Sequence, residues 1–232
     1  MPQRTHQPTS GATTTRRHAS SSPGASPIRL PAPRLGRGKS LPESLRRRRT
    51  IREISGKELP PQLLSNLLWA ACGINRRQGP FGYPGITAAS ASNSQETDLY
   101  VALANGVYRF DAQRHRLMPV VAGDLRRLAI GRGQQDMAVE APVQLIYVAD
   151  IHRLTHTQGF QEPGLQDPEV QKSYYYVDTG LIAGNVYLFA ASHGLACWFH
   201  NCDRPALTRK LKLRPDQRVL FAQTVGYPAG RA

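Results

Sequence analysis

The sequence predicts an α+β fold, a three-layer sandwich in which helices flank a central, mainly antiparallel sheet. The dipeptide Asn105-Gly106 separates two runs of strand-forming residues, and Asn-Gly is a strong hairpin signal because both turn residues take positive φ. Residues 142–149 are almost continuously apolar, which is typical of a strand covered on both faces. Residues 173–193 are predicted to form one long helix, and no regular strand–helix–strand repeat indicates a parallel sheet.

The other elements follow from helical spacing and turn residues. Ser40 can cap a helix that has Pro42 in its first turn and runs to about residue 49. A second helix begins near Pro60, carries leucines at helical spacing and ends at Gly73. The remaining predictions are a loop at 74–92, strands at 99–103, 107–110, 117–121 and 219–225, short helices at 124–130 and 207–213, and an irregular loop or lid at 150–170.

The positive charge lies at the start of the chain. The net charge is +14, and residues 1–52 carry twelve Lys and Arg against one acid, whereas residues 53–232 carry eighteen against fifteen. Residues 1–38 are rich in Ser, Thr, Pro, Gly and Arg, which predicts a disordered basic tail before one domain at 39–232. Because the tail has no aromatic residue to stack on bases, no specific nucleic-acid partner is expected.

Neither an export signal nor a membrane span is predicted. Arg16-Arg17 raises the idea of a twin-arginine signal, but the residues that follow are small and polar instead of apolar. The longest apolar run is interrupted by Asp178 and Asn185 and is too short to span a bilayer. Three cysteines do not form a disulfide framework. The default prediction is a cytoplasmic protein, with periplasmic export left open.

Two polar segments could together bind an anion. Arg48-Arg49-Thr50-Ile51-Arg52 offers guanidinium groups that can fork onto phosphate oxygens, at the end of the first helix. Residues 87–95 offer hydroxyls, amides and a backbone of small residues. A run of charged residues usually forms a solvent-exposed surface. From these residues alone, that interpretation and a phosphate-binding site are equally supported.

The same segments resemble those of a known family. Residues 48–54 resemble the Arg-Arg-Ser-x-Arg-x-Phe opening of nitroreductase-like flavoproteins. Residues 67–75 and 87–95 resemble that family's Leu-Leu-Trp-Ala-Ala-x-Gly-x-Asn helix end and Thr-Ala-Pro-Ser-Ala-x-Asn-x-Gln loop, and Val225-Gly226-Tyr227-Pro228 follows in family order. The resemblance covers about residues 40–232 and is greatest to the SagB-type dehydrogenase branch, whose best-known members oxidise azoline rings in peptides.

The resemblance implies a non-covalent FMN cofactor in a homodimer with two composite active sites. The residues implied to hold the phosphate in one subunit are Arg48, Arg49, Thr50, Arg52 and Arg231. The residues implied to close over the cofactor from the other subunit are Ser90, Ala91, Asn93 and Gln95. Asn201 and Cys202 belong to the stretch implied to lie beside the flavin ring, where a backbone N–H near N5 would stabilise charge on reduced flavin.

The chain departs from the family pattern at several positions. Thr50 stands for Ser and keeps the hydroxyl, and Ile54 stands for Phe. Ala89 stands where Pro is usual, Gly184 replaces a Gln on the long helix, and residues 78–85 are expected to be an insertion. The last three departures bear on flavin affinity and substrate choice.

The candidate catalytic residues are Lys172 and Tyr175, an acid/base pair in the region where azoline-oxidising relatives use Lys and Tyr. The alternative is a solvent-reaching Lys beside interface aromatics. Cys202, near His200, leaves a catalytic thiol open. The histidines and cysteines of residues 193–202 lack zinc-site spacing, so no metal is expected.

The main functional hypothesis is an FMN-dependent oxidoreductase. Flavin N5 would accept a hydride from NAD(P)H or directly from an organic substrate, and a second acceptor would complete a ping-pong cycle. The substrate could be a small molecule or a peptide. The alternative hypothesis is a non-catalytic scaffold whose basic tail contacts nucleic acid or an acidic surface.

Overall fold

The computed structural model describes residues 26–134 and 140–230. The strands are β1 (Ile28–Arg29), β2 (Ile74–Arg76), β3 (Gly85–Ile86), β4 (Thr97–Leu103), β5 (Gly106–Asp111), β6 (Arg116–Ala122), β7 (Val143–Asp150), β8 (Ala196–His200) and β9 (Gln217–Gly226). The helices are α1 (Leu41–Arg47), α2 (Pro61–Cys72), α3 (Ile151–Thr155), α4 (Pro168–His193) and α5 (Arg204–Lys210). Seven strands form one sheet in the order β1-β6-β5-β4-β7-β9-β8, and all neighbouring pairs are antiparallel. Strands β2 and β3 pair separately.

The central strand β7 divides the core into two halves. Its Leu145 and Tyr147 join a large hydrophobic cluster with α2 and α4. Its Ile146 and Val148 point to the other face and join a cluster with α5. This alternation is what a strand buried on both faces requires, because successive side chains point to opposite faces. The predicted three-layer α+β fold is therefore confirmed, with helices on both sides of an antiparallel sheet.

The helix boundaries follow their capping residues. The Ser40 side chain accepts a hydrogen bond from the backbone of Glu43, as predicted, and α1 ends at Arg47. Helix α4 starts five residues before the predicted position because Asp167 caps it, and it ends at Gly194, whose φ is +68°. Among the described residues, none of the helices has both the length and the apolar character needed to cross a bilayer.

Two local predictions are wrong in part. The segment at 150–170 is not wholly irregular, because the Asp150 side chain caps α3 at its start. The segment at 74–92 is not wholly a loop, because β2 and β3 pair within it. Gly73 does end α2, but with φ at −75°, and a Cβ there would lie 2.5 Å from Trp69 Cδ1. The glycine is therefore needed for close approach to the indole. Strand β8 was not predicted.

The prediction that residues 1–38 are disordered is wrong for residues 28–34. Residues 1–25 lie outside the described part, but Ile28 and Arg29 pair with β6. The side chain of Asn66 on α2 accepts from Arg34 N at 2.8 Å and donates to Arg34 O at 2.9 Å. Ile28 and Leu30 pack against the large hydrophobic cluster. Two apolar side chains and a buried amide thus order a segment whose composition alone predicts disorder.

We expect two truncations to separate these parts of the chain. Removing residues 1–25 should leave the urea midpoint unchanged, whereas removing residues 1–38 should lower stability by about 3 kcal/mol, because Asn66 loses its partners and β1 its apolar contacts. Urea denaturation of both truncated proteins beside the full chain measures this. Equal midpoints for the two truncations would contradict the docking of residues 28–34.

Candidate functional site

The arginine-rich opening lies along one edge of the sheet. Residues 48–55 run beside the edge strand β8, and the backbone N–H of Ile51 donates to Cys197 O at 3.0 Å. Ile54 forms an isolated antiparallel bridge with Pro228, beyond the end of β9. The structure therefore brings together the opening at 48–54 and the stretch at 225–228, which are far apart in the sequence.

A cavity of about 290 Å³ opens at this edge. Its lining consists of Arg46, Arg47, Arg48, Arg49, Ile51, Ala191, Gly194, Leu195 and Pro228. The arginines come from the end of α1, and Ala191, Gly194 and Leu195 come from the end of α4 and the turn into β8. Four arginine residues thus line one small cavity, which we call the arginine cavity.

The arginines of this cavity differ in whether their charge is compensated. Arg46 Nη2 lies 2.6 Å from Glu43 Oε2, and Arg47 bonds the other oxygen of the same carboxylate. These hydrogen bonds, from Arg47 first and then Arg46, lower the pKa of Glu43. In the described part of the chain, Arg48 and Arg49 have no carboxylate within ion-pair distance. Because a guanidinium stays charged in proteins, the cavity carries uncompensated positive charge and favours an anion.

The other residues of the opening contact aromatic side chains. The Arg48 guanidinium lies 5.6 Å from the ring centre of Tyr187, and that of Arg52 lies 5.9 Å from the ring centre of Trp198. Thr50 Oγ1 lies 3.0 Å from the Tyr187 hydroxyl, which also accepts a hydrogen bond of 2.9 Å from Phe199 N. Arg48, Arg49, Thr50 and Arg52 therefore share one exposed edge, and Arg231 lies outside the described residues.

Hydrogen bonds to side-chain oxygens fix the conformation of the loop at 90–95. Ala91 N donates to Asp178 Oδ2 at 2.9 Å, and Gln95 N donates to Ser90 Oγ at 3.0 Å. Ser92, Asn93 and Gln95 have φ of 49°, 54° and 49°. Positive φ in three side-chain-bearing residues is unfavourable, so the loop keeps this shape because its hydrogen bonds enforce it.

Two residues of the 90–95 loop, Asn93 and Gln95, form hydrogen bonds with the segment at 78–85, the expected insertion. The amide nitrogen of Gln95 donates to Pro84 O at 2.6 Å and to Asn93 Oδ1 at 3.0 Å. The Asn93 amide nitrogen lies 3.4 Å from Pro84 O. These side chains therefore tie the loop to its neighbour, and their amide donors are occupied within the chain.

The loop and the arginine cavity lie at opposite halves of α4. The loop attaches at Asp178, and the cavity is lined by Ala191. Thirteen residues of α-helix separate these contacts, which corresponds to about 20 Å. The loop does not line the arginine cavity. A single chain thus leaves the two predicted halves of the site apart.

Two buried side chains, His200 and Cys202, lie at the end of β8 and just after it. His200 is buried, Nε2 lies 2.7 Å from Thr224 Oγ1, and Nδ1 lies 2.9 Å from the carbonyl of the exposed Asn201. Burial lowers the pKa of His200 to about 4. Burial also raises the pKa of Cys202 to about 12, so this thiol is not a thiolate at neutral pH. Burial therefore disfavours the alternative of a catalytic thiol at Cys202, which stays untested.

The predicted catalytic pair is not gathered around the arginine cavity. Lys172 Nζ lies 3.4 Å from Glu169 Oε2, and the Tyr175 ring lies 5.1 Å from that of Tyr176, all on the first half of α4. Burial raises the pKa of Tyr175. Tyr176 in turn contacts Phe221 on β9, with ring centres 5.8 Å apart. In the described residues, no group of three His, Cys, Asp or Glu side chains could hold a metal ion.

Comparison with known proteins identifies the family. The sequence profile of the nitroreductase family matches residues 45–227. The chain belongs to the nitroreductase family. A crystal structure from Ralstonia eutropha JMP134, provisionally named a nitroreductase, is 32% identical, with a TM-score of 0.75 over 91% of this chain and 94% of that one.

Two further similar proteins are more distant in sequence. A protein of Methanocaldococcus jannaschii, provisionally named nitroreductase MJ1384, is 29% identical over 162 residues, which cover 67% of this chain and 75% of the relative. The NADPH:FMN oxidoreductase of Vibrio harveyi, solved in complex with NAD+, is 20% identical, with a TM-score of 0.56 over 82% of this chain and 69% of that one. At that identity the likeness shows the fold.

Sequence reasoning missed one buried acidic pair of this nitroreductase-family chain. Glu96, at the end of the 90–95 loop, is fully buried, and its Oε2 accepts a hydrogen bond of 2.6 Å from Ser94 Oγ. Burial first, and then the nearby Asp178, raise the pKa of Glu96 to about 7. Burial also raises the pKa of Asp178. An acid that interrupts the apolar run of α4 was the available signal, because such a residue needs a buried partner.

Proposed function

We propose that the protein is an FMN-dependent oxidoreductase that acts as a homodimer. The observation that carries the proposal is the arginine cavity, where the uncompensated Arg48 and Arg49 and the nearby Thr50 hydroxyl lie at the family's phosphate-binding opening. When bound, FMN would accept a hydride at N5 from NAD(P)H or an organic substrate and would then reduce a second acceptor.

The donor set fits the phosphate of FMN. A flavin phosphate is a dianion, and guanidinium groups bind such oxygens through short, charge-assisted hydrogen bonds. Arg48, Arg49 and Arg52 would supply these bonds, and Thr50 would supply a hydroxyl. Arg46 and Arg47, already bonded to Glu43, would add less, since their charge is partly compensated. The proposed role of Arg231 rests on the sequence resemblance.

A second copy of the chain would complete the site. The arginine cavity and the 90–95 loop are about 20 Å apart along α4, so the partner subunit's loop is the one that would reach the cofactor. Val177 and Leu181 on α4 are 59% and 44% exposed. A Cβ at Gly180 or Gly184 would meet nothing within 4 Å. This unpartnered stripe of α4 supports a homodimer, since small residues let a second helix approach closely.

The cofactor ring is proposed to lie beside residues 199–202, next to Asn201 and Cys202. The aromatic contacts from Tyr176 through Phe221 to Phe199 end at the same stretch, with the last two ring centres 4.8 Å apart. They would shape the substrate side of the ring and exclude water there. Lys172 and Tyr175 stay proposed as a proton-transfer pair that could act only if the dimer brings them to the cofactor.

The hydride donor, the substrate and the cellular location are also proposals. Use of NAD(P)H is supported by the printed name of the Vibrio harveyi relative, and a SagB-type reaction on a peptide is supported by the sequence motifs. The cytoplasmic location stays a sequence-based prediction, with periplasmic export left open. The scaffold alternative rests on the basic charge of residues 1–52.

An absorbance spectrum of the purified full chain tests the proposal. We expect a flavin band that survives desalting after incubation with FMN, an FMN-dependent rise in melting temperature, and a mass in solution of twice 25.6 kDa. Bleaching by NAD(P)H under nitrogen indicates a reductase, whereas an unbleached band indicates an organic hydride donor.

A protein that binds no FMN contradicts the proposal and favours the scaffold. In that case salt-sensitive binding to nucleic acid or anionic vesicles should weaken when residues 1–25, which carry three of the twelve basic residues of 1–52, are removed. That truncation is the right one, because residues 28–34 are part of the fold.

A further inference from the structure

One tyrosine connects the arginine-rich opening to the strand beside it. Tyr187 on α4 receives a hydrogen bond of 2.9 Å from Phe199 N on β8, and its oxygen lies 3.0 Å from Thr50 Oγ1. The Arg48 guanidinium lies over the same ring. The tyrosine thus spans from the proposed phosphate end of the site to the strand that leads to residues 199–202.

The direction of each hydrogen bond follows from counting hydrogens. A backbone N–H can only donate, so the Tyr187 oxygen is the acceptor from Phe199. A phenol has one hydrogen, which the Thr50 oxygen can accept. In the reverse arrangement Thr50 would donate to Tyr187, and the phenol hydrogen would need another acceptor, which the hydrogen bonds of the described residues do not provide. In either arrangement one hydroxyl hydrogen has no acceptor in the described residues, and because Thr50 is exposed while Tyr187 is half-buried, water reaches a hydrogen left on Thr50 more easily than one left on the phenol. This difference favours the arrangement in which Tyr187 donates to Thr50.

The consequence concerns the hydrogen of Thr50. If its oxygen accepts from Tyr187, the Thr50 hydroxyl must direct its own hydrogen elsewhere. Thr50 is exposed, and the Arg48 guanidinium lies over the ring of the same tyrosine. A chain of bonds that all run in one direction also polarises each member, so the last hydroxyl becomes a better donor. Thr50 is then set to donate to an anion, as a phosphate site requires.

We infer that Tyr187 is a positioning residue that orients the Thr50 hydroxyl toward a phosphate dianion and fixes its distance from the backbone of β8. The inference rests on the proposed function, since it assumes that the anion is the phosphate of FMN. Tyr187 itself does not touch the phosphate. It acts through Thr50, and so its contribution should depend on both the Thr50 hydroxyl and the phosphate.

A double-mutant cycle measures this dependence. Tyr187→Phe keeps the ring under Arg48 but removes the hydroxyl, and we expect the Kd for FMN to rise about tenfold. Thr50→Val should weaken FMN binding by a similar factor. Adding Tyr187→Phe to Thr50→Val should change the Kd less than twofold, because the hydrogen bond between the two hydroxyls is already lost. Thr50→Ser should bind as the wild type does. Tyr174→Phe, on the same helix, is the matched control and should leave the Kd unchanged.

Riboflavin separates a phosphate-directed role from a merely structural one. Riboflavin lacks the phosphate, so its Kd should be the same for the wild type and Tyr187→Phe, and the preference for FMN should fall about tenfold. If riboflavin binds too weakly to titrate, the cycle decides alone. Melting temperatures and elution volumes of the apoproteins verify folding.

The outcomes distinguish the inference from the proposed function. A wild type that does not bind FMN overturns both. A wild type that binds FMN, with an unchanged Kd for Tyr187→Phe, overturns only the inference. Additive effects in the cycle, or equal losses for FMN and riboflavin, would assign Tyr187 a structural role and also overturn it.

Discussion

The triple variant Arg48→Ala/Arg49→Ala/Arg52→Ala is expected to lose FMN binding altogether, and Arg49→Ala alone should raise the Kd about 10- to 100-fold. The reason is that these arginines are uncompensated in the described residues and would lose charge-assisted bonds to a dianion, each contributing about 1.5–3 kcal/mol. Arg49 is the most decisive single substitution, because among the described residues its side chain makes no aromatic contact of the kind made by Arg48 and Arg52. Flavin fluorescence quenching measures the Kd.

Arg46→Ala is the matched control for charge and position. It removes the same charge from the same segment, but from an arginine that is bonded to Glu43. Its effect on the Kd should be threefold or less. Arg49→Lys should fall between Arg49→Ala and the wild type, because lysine keeps the charge but cannot form a forked pair of bonds. Similar Kd values for Arg46→Ala and Arg49→Ala would show that the cavity acts through net charge alone.

The elements that the sequence predicted well are those whose signals are local. Ser40 caps α1, and the apolar run at 142–149 forms the buried β7. The hairpin predicted at Asn105-Gly106 joins β4 to β5, but its turn residues are Ala104 and Asn105, Gly106 pairs with Leu103, and neither Asn105 nor Gly106 has positive φ. Each signal lies within a few residues of the element that it specifies. The arginine-rich opening is local in the same sense, and it was recognised from consecutive residues.

The elements that were missed depend on residues distant in the chain. Strand β1 forms because Asn66 on α2 binds the backbone near it, and composition alone predicts disorder there. Strand β8 is defined by its pairing with β9. The Tyr187 contact with Thr50 joins residues 137 positions apart. Periodicity and capping carry no information about such pairs, so the predicted site lacked the residue that orients its hydroxyl.

The second large effect concerns the buried pair Glu96 and Asp178, which links the 90–95 loop to α4. With a pKa raised from 4.5 to about 7, Glu96 holds a proton in the folded state that it releases on unfolding near neutral pH. Its contribution to stability is fully present at low pH and is lost as the pH rises through about 7. We expect stability to fall by about 1 kcal/mol between pH 6 and pH 8 from this group.

The neighbouring groups decide how the effect is isolated. Glu96 is faced by Ser94 and by Asp178, and Arg153 donates to its carbonyl at 3.1 Å while pairing with Asp98 at 2.8 Å. Burial lowers the pKa of His200 to about 4, so this group makes stability rise with pH between about 4 and 6.5, against the trend of Glu96. The comparison must therefore be the difference between wild type and a Glu96 variant, which cancels the histidine.

Glu96→Gln is that variant, since an amide resembles the protonated carboxyl in shape and can donate to Asp178. Its urea-derived stability should exceed that of the wild type at pH 8, and the difference should shrink by about 1 kcal/mol at pH 6. Asp178→Asn should shift the wild-type transition to lower pH, because the charge of Asp178, which after burial is the largest cause of the raised Glu96 pKa, is gone. Asp178 accepts a hydrogen bond from Ala91 N, and Glu96 accepts one from the Ser94 hydroxyl. Ionisation of the Glu96–Asp178 pair at pH 8 should therefore also loosen the 90–95 loop. Amide hydrogen exchange in residues 90–95, corrected for its intrinsic pH dependence, should then be faster at pH 8 than at pH 6 in the wild type but equal in Glu96→Gln. Parallel stability curves for the two proteins would show that Glu96 is ionised throughout this range.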